Sequence, residues 1–227
     1  EGTGIVGLYP HHWHQNSSLP QKALGSLGSI RGDIRLFASS SFETRYRHTG
    51  FVPYWPGVQE SAQSKAILGN LSKEARRARR MMLEIGQGPY WQGKGLQRIS
   101  QLMSVADAQG DVETRDKLLA LVKGRFEEWL SGQSKRTYFH YSPTLGTVVS
   151  YPEEYDAVKD MNDHHFHYGY WIRAAADIGL RDPEWIKPER WGGMIDLLVA
   201  DIATAERGRK DFPYLRNFDP YEGHSWA

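Results

Sequence analysis

The spacing of apolar residues predicts two stretches of different structure. Up to about residue 58, apolar residues come in short runs such as Ile5–Tyr9 and Gly50–Pro53, separated by Gly, Pro and Ser. Such runs are typical of short strands and turns. From about residue 61, apolar residues recur three and four positions apart, which favours amphipathic helices. We therefore predict a strand-rich segment over residues 1–58 and a helical region over residues 59–227.

Capping residues and glycines set the expected boundaries of the helices. Asp111 is a good N-cap, Gly110 and Gly132 are stop signals, and Pro188 suits the first turn of a helix. The predicted helices lie at residues 61–85, 94–109, between Asp111 and Gly132, at 164–180 and from Pro188 onward, with a small hairpin at 137–150. The chain is therefore predicted to be mostly α.

Composition excludes several classes of function. Lys and Arg total 28 against 27 Asp and Glu, and this balance argues against a dedicated nucleic-acid or anionic-membrane partner. With no cysteine, a disulfide framework, a thiolate zinc site and a cysteine nucleophile are excluded. Aromatic residues reach 12% of the chain, and many of the nine histidines lie beside them.

The densest candidate site is the run NDHHFHYGYW at residues 162–171. Asp163 opens the predicted helix, and it can serve either as an N-cap or as a catalytic carboxyl group. A carboxyl group packed against apolar rings favours its protonated form and can donate a proton near neutral pH. His167 follows four residues later and shares a helix face with Asp163.

Two further runs combine histidines and aromatic residues. The first is LYPHHWH at residues 8–14, and the second is RNFDPYEGHSWA at residues 216–227, which leads into what we expect to be a further helical turn. Aromatic rings stack on the apolar faces of sugars, and polar loops with Gly and Pro line binding sites more often than cores. Together the three runs predict a cleft for a neutral polar ligand.

These runs resemble the motifs of a known enzyme family. LYPHHW at 8–13, NDHHFHYGYW at 162–171 and FDPYEGHSWA at 218–227 are similar to motifs of glycoside hydrolase family 81, the endo-β-1,3-glucanases or laminarinases. Spacer elements such as PYWQGK at 89–94 are similar too, so the resemblance runs along nearly the whole chain. It implies a mostly α fold, namely part of an (α/α)6 toroid preceded by a short strand-rich segment.

The resemblance also implies an activity and a set of site residues. Family members hydrolyse internal β-1,3-glucosidic bonds of laminarin- or curdlan-type glucan with inversion, and they need no metal and no cofactor. Asp163 matches the general acid, and His167 matches a histidine close to it. The residues expected to contact the glucan are His11, Trp13, His164, His165, Tyr168, Tyr170, Asp219, Glu222, His224 and Trp226. The implied location is secreted or at a cell wall.

Inversion needs a second carboxylate, about 6.5–9.5 Å from the acid, to activate a water molecule. In the family this base is a glutamate in a segment that follows GHSWA. Because the sequence ends at Ala227, the resemblance predicts a base beyond residue 227, with the rest of the parent polypeptide completing the barrel. Asp219 and Glu222 are the nearest carboxylates to the last motif, and neither is predicted as the base.

Two other classes of function stay open at this stage. A metal-dependent hydrolase could use His165 and His167 as ligands, with Asp163 or His224 completing the site. Residues two apart share a face on a strand and diverge on a helix, so the helical prediction disfavours this alternative. A non-catalytic glucan-binding protein would use the aromatic residues for stacking without a complete pair of carboxylates.

Overall fold

Contacts divide the chain into two units, Glu1–Val52 and Pro53–Ala227. The structure, a computed structural model, describes residues 4–47 and 61–226. The boundary predicted between residues 58 and 59 and the extended piece predicted at Gly50–Pro53 lie outside the described residues. Each unit is therefore described separately.

The first unit contains a three-stranded antiparallel sheet. Its strands are β1 (Ile5–Leu8), β2 (Gly25–Leu27) and β3 (Ile34–Ala38), in the order β1-β3-β2. Leu8 and Phe37 supply its buried apolar side chains. A short helix, α1 (Pro10–Trp13), follows β1 and begins at a proline, a residue that suits the first helical position because its missing N–H is not needed there. The strand predicted at Ile5–Tyr9 is confirmed.

The second unit is mainly helical. Its helices are α2 (Ala62–Glu84), α3 (Pro89–Ala108), α4 (Val112–Leu130), α5 (Ala157–Asp160), α6 (His164–Gly179) and α7 (Gly193–Ala203). Two antiparallel hairpins accompany them, formed by β4 (Tyr138–Ser142) with β5 (Thr147–Tyr151) and by β6 (Phe218–Asp219) with β7 (His224–Ser225). Among the described residues, no helix combines the length and apolar character that crossing a bilayer requires.

The core of the second unit lies where α3 packs against α4 and α6. The predicted apolar stripes are confirmed there, because Leu96, Ile99, Val122 and Phe126 are completely buried. Indole and phenyl rings fill the centre of the core; the fully buried ring of Trp129, for example, lies 5.0 Å from that of Trp171.

Three predicted boundaries are wrong. Helix α3 begins at Pro89 instead of residue 94, because Pro89 occupies the first helical position and the glycines after it are tolerated. Pro188 opens a wide π-helical turn, Pro188–Gly192, in which Arg190 leaves helical geometry before α7 begins. Residues 224–225 form β7, where a helical turn was expected, because they pair with β6.

Gly93 shows why glycine belongs inside α3. A Cβ atom at Gly93 would lie 2.9 Å from Nε1 of Trp171 and 3.0 Å from Cβ of Tyr170. The absence of a side chain therefore lets α6 approach α3 closely. The indole of Trp171 uses this space to donate a hydrogen bond to the carbonyl oxygen of Pro89, at 2.8 Å. This contact fixes the beginning of α3 beside α6.

Candidate active site

Asp163 lies at the N-cap position of α6, in the left-handed region of backbone conformation, with φ at 57°. Three other non-glycine residues in the preceding segment share this conformation, Tyr155, Asp156 and Met161. The left-handed conformation costs a residue with a side chain about 1–2 kcal/mol. Backbone strain of this kind concentrates at functional sites, where the surroundings hold the chain in place.

The Asp163 side chain does not cap its helix. Its carboxyl group accepts no capping hydrogen bond, whereas its backbone carbonyl oxygen accepts from the N–H groups of Phe166 at 3.0 Å and His167 at 2.9 Å. The backbone of Asp163 is thus fixed by the first turn of α6, and the half-buried carboxyl group is not used to cap that turn. Of the two interpretations of Asp163, the structure disfavours the N-cap.

His167 lies one turn further along α6, between α3 and residues 155–163, which begin and end with left-handed residues and which we call the strained segment. Its side chain is 2% exposed, and its ring is 5.5 Å from that of Tyr90 and 6.1 Å from that of Tyr155. Burial lowers the pKa of His167 to about 4, although the nearby charge of Asp163 acts in the opposite direction. The imidazole is therefore neutral near pH 7.

Four aromatic residues are grouped around Tyr90, next to His167, and we call them the aromatic cluster: Tyr90, Trp91, Tyr155 and Tyr170. The Tyr90 ring contacts each of the other three, with centroid distances of 5.1–5.8 Å. Trp91 and Tyr155 are exposed, at 38% and 55%. Partly exposed rings of this kind are suited to stacking against the apolar face of a sugar ring.

Glu154 attaches the strained segment to α3. Its carboxylate accepts hydrogen bonds from the backbone N–H groups of Tyr90 at 2.8 Å and Trp91 at 3.3 Å. These donors belong to the first turn of α3, where N–H groups lack partners within the helix and the helix dipole favours negative charge. A Cβ atom at Gly88 would overlap the Glu154 carboxyl group, so this close approach requires glycine.

His164 holds the other side of the segment. It is 1% exposed, and its Nδ1 lies 2.6 Å from Oδ2 of Asp201 in α7, while its Nε2 lies 3.3 Å from the carbonyl oxygen of Ala157 in α5. Asp201 itself is completely buried. Burial alone would raise the pKa of Asp201, but the hydrogen bond from His164 and the charges of His164 and Arg216 lower it below its ordinary value.

Arg216 connects this buried pair to the third sequence motif. Its Nη2 donates to Oδ1 of Asp201 at 2.9 Å and to the Thr147 hydroxyl at 2.7 Å, and its Nε donates to the Asp201 carbonyl oxygen at 2.8 Å. The second and third motifs are thus joined through Asp201. The spacing of the motifs along the sequence gave no indication of this link.

The third motif forms the turn between β6 and β7. The Asp219 carboxylate accepts from the backbone N–H groups of Tyr221 at 2.8 Å and Glu222 at 3.1 Å, and it braces the turn. The His224 ring lies edge-on to the Trp226 ring, with centroids 4.5 Å apart, and Trp226 is 56% exposed. This hairpin presents an aromatic surface. Its contact with glucan remains a prediction.

The first motif belongs to the first unit. The indole of Trp13 donates to the carbonyl oxygen of Asp33 at 3.0 Å, and the Arg35 guanidinium lies 3.6 Å from the centre of its ring. The His11 ring stacks on that of Tyr9 at 5.8 Å. One face of Trp13 is therefore covered by Arg35.

Two of the residues expected to contact glucan lie inside the core. His164 and Tyr168 are 1% and 2% exposed, and the Tyr168 hydroxyl donates to the carbonyl oxygen of Val148 at 2.6 Å. Burial raises the pKa of Tyr168 well above its ordinary value. Their polar atoms are directed at protein groups, so these side chains support the site from within.

His165 and His167 diverge on α6, as expected for residues two apart on a helix. Burial lowers the pKa of His165, whose ring is hydrogen-bonded to the backbone of Ile202, whereas His167 faces the aromatic cluster. Over residues 4–47 and 61–226, no three His, Asp or Glu side chains are grouped as a metal site requires. The geometry does not favour the metal-dependent alternative.

Sequence reasoning missed Asp201, Glu154 and Tyr155. One signal for Asp201 was available, because a carboxylate on the apolar stripe of a helix, as in IDLLVADIA, is disfavoured unless it is paired. Nothing in the local sequence indicated that Glu154 would reach the beginning of α3.

Comparison with known proteins identifies the family. The family model described as glycosyl hydrolase family 81 C-terminal domain matches residues 58–227. The chain belongs to glycoside hydrolase family 81. Proteins named glucan endo-1,3-beta-D-glucosidase from Acetivibrio thermocellus and Thermobifida fusca are 36% and 35% identical to it over its whole length.

A solved structure of a family 81 glycoside hydrolase from Clostridium thermocellum, in a mutant form, matches the whole chain with a TM-score of 0.85 and 35% identity. The predicted fold class is confirmed by this match: the family 81 chain is mostly α and forms part of an (α/α)6 toroid after a short strand-rich segment. The chain covers 31% of that structure, and it spans 29% and 30% of the lengths of the two relatives.

Proposed function

We propose that the protein carrying this family 81 chain hydrolyses internal β-1,3-glucosidic bonds of laminarin- or curdlan-type glucan, with Asp163 as the general acid. The observation that carries the proposal is the position of Asp163: its carboxyl group does not cap its helix, and it lies close enough to act electrostatically on His167, whose ring contacts Tyr90 and Tyr155 of the aromatic cluster. Relatives named glucan endo-1,3-beta-D-glucosidase support the choice of substrate.

The proposed chemistry is inverting hydrolysis. Asp163 donates a proton to the glycosidic oxygen while a sugar ring stacks on the exposed faces of Trp91 and Tyr155. A neutral His167 adds no positive charge beside the carboxyl group, so it does not favour loss of that proton. General acid catalysis of this kind contributes about 10²–10⁴ to the rate.

The general base in this proposal lies on a segment outside these 227 residues. An inverting pair of carboxylates is about 6.5–9.5 Å apart, so that a water molecule fits between the base and the sugar. Asp219, a carboxylate of the third motif, is already engaged by two backbone N–H groups of its own turn. We propose that the same outside segment completes the barrel.

We further propose that the protein acts outside the cell or at a cell wall. Its substrate in this proposal is a long polysaccharide, which does not cross a membrane unaided, so enzyme and glucan meet where the polymer is deposited. Secretion of the protein into the medium, or its recovery with the wall fraction, checks this location.

An assay of the mode of cleavage tests the proposed function. The protein is incubated with laminarin or soluble curdlan, and viscosity and reducing ends are followed together, with cellulose and an α-glucan as control substrates. Endo cleavage predicts that viscosity falls faster than reducing ends appear, and that the controls are left largely intact. Release of glucose alone would contradict endo cleavage, and binding without any hydrolysis would favour the non-catalytic alternative.

A further inference from the structure

The Asp201 carboxylate has no part in the proposed chemistry, yet four protein groups are hydrogen-bonded to it. Its Oδ1 accepts from the Thr147 hydroxyl at 2.6 Å, the Val148 N–H at 2.9 Å and Arg216 Nη2 at 2.9 Å, and its Oδ2 lies 2.6 Å from Nδ1 of His164. Placing a charge where it is completely buried costs several kcal/mol unless such partners are present.

One of the bonds of Asp201 is made to His164, the residue that follows the proposed general acid. The His164 ring is held at both nitrogens, by Asp201 in α7 and by the Ala157 carbonyl oxygen in α5. Helix α5 is the single turn enclosed by two left-handed residues, Asp156 and Met161. The ring of His164 therefore connects α7 to the middle of the strained segment and fixes its own backbone next to Asp163.

We propose that Asp201 is a positioning residue for the general acid: acting through His164, it holds Asp163 in its left-handed backbone conformation and directs the carboxyl group to the glycosidic oxygen. This role rests on the proposed function. In this role Asp201 affects the rate of the reaction through His164 and Asp163, and it does not contact the substrate.

One feature separates this role from ordinary structural support. Tyr90 and Trp91 of the aromatic cluster lie in the first turn of α3, which is held by hydrogen bonds to Glu154 and from Trp171, and none of these bonds involves Asp201. Loss of Asp201 is therefore expected to impair proton donation and leave sugar binding intact. A displacement of about 1 Å in a reacting group can cost about 10²-fold in rate.

The test compares Asp201→Asn with a matched control, Asp177→Asn. Asp177 is also buried, at 1% exposure, and its Oδ2 lies 3.2 Å from Arg173 Nε, but it is at the opposite end of α6 from Asp163. Both variants replace a buried carboxylate by an amide of the same shape. Each is assayed, in the protein that carries this chain, on laminarin and on a laminari-oligosaccharide with a 2,4-dinitrophenolate leaving group, which needs little protonation.

For Asp201→Asn we expect kcat on laminarin to fall about 10- to 100-fold with KM within about twofold, following the cost of a misplaced reacting group. Most of the loss should disappear with the dinitrophenyl substrate. Asp177→Asn should change kcat by the same factor on both substrates. His164→Gln breaks the same link while Asp201 keeps Arg216 and Thr147, so it decides the question if Asp201→Asn fails to fold.

Equal losses on both substrates for Asp201→Asn, or for His164→Gln where only that variant folds, would overturn the positioning role. A rise in KM at constant kcat would overturn it as well, since that pattern indicates lost binding. If the wild-type protein hydrolyses neither substrate, the proposed function fails and this role fails with it. A wild type that hydrolyses both, with Asp201→Asn behaving as Asp177→Asn, refutes the role of Asp201 alone.

Discussion

The dependence of stability on pH tests how His167 is held. Burial lowers the pKa of His167 to about 4 from an ordinary value of 6.5, so the folded protein keeps the imidazole neutral where the unfolded chain binds a proton. The stabilisation is fully present above about pH 6.5 and is lost progressively as the pH falls towards about 4. Below that pH both states are protonated, and no further loss comes from this residue.

The magnitude follows from the difference between the two pKa values. Each unit is worth about 1.4 kcal/mol, so a fall from 6.5 to about 4 gives a ceiling of about 3–4 kcal/mol. Water reaches the neighbouring Tyr155 ring, which is 55% exposed, and this water reduces the free-energy cost of a charged imidazole at His167. We therefore expect about 2 kcal/mol of stability to be lost between about pH 7 and about pH 4.5.

Urea unfolding of the wild type and of His167→Gln at these two pH values measures the effect. Other carboxylates and histidines titrate in both proteins. The effect of His167 is therefore read from the difference in free energy of unfolding between wild type and variant, and from how that difference changes between the two pH values. We expect this difference to change by about 2 kcal/mol. His140→Gln, which replaces an exposed histidine of β4, serves as the control. An unchanged difference for His167→Gln would refute the neutral, buried imidazole and the part it has in the proposed chemistry.

Two substitutions test the acid and the segment that carries it. Asp163→Asn should lower hydrolysis of laminarin about 10²–10⁴-fold and retain glucan binding in a pull-down with insoluble curdlan, and unchanged turnover would show that Asp163 is not the acid. Gly88→Ala should displace Glu154 from the beginning of α3, because the added Cβ overlaps its carboxyl group, and should cost about 1–3 kcal/mol in urea unfolding. Gly69→Ala, where a Cβ meets nothing within 4 Å, is its control, and equal stability of the two variants would contradict the Glu154 contact.

Apolar periodicity and local motifs predicted the parts of this fold that depend on one element at a time. Val122, Phe126 and Trp129 share one face of α4, and their burial follows from spacing alone. Asp111 accepts from the N–H of Thr114 as an N-cap should. Asp163 is predicted to be a catalytic carboxyl group because three histidines and several aromatic residues near it in the sequence exceed what a cap requires.

The remaining features could not be predicted because they join elements that are distant along the chain. Glu154 bonds a residue 64 positions away, and His164 bonds one 37 positions away. Spacing reports which residues share a face, but not which faces meet. The beginning of α3 was misplaced for a related reason: Gly93 weakens a helix by itself and is favoured only once Trp171 packs against it.

The strained segment before Asp163 explains why these distant contacts are found together. A non-glycine residue in the left-handed conformation returns to an ordinary one unless its surroundings prevent it. Glu154 fixes the segment near Tyr155 by bonding the first turn of α3, and His164 fixes its end by bonding Asp201. The pKa of Asp201 lies below its ordinary value, so this carboxylate is charged, and hydrogen bonds to a charged group are roughly twice as strong as neutral ones. A neutral group in its place would hold the segment more loosely. The direction of the Asp163 carboxyl group, on which the proposed proton donation depends, would then vary whenever the segment opened locally.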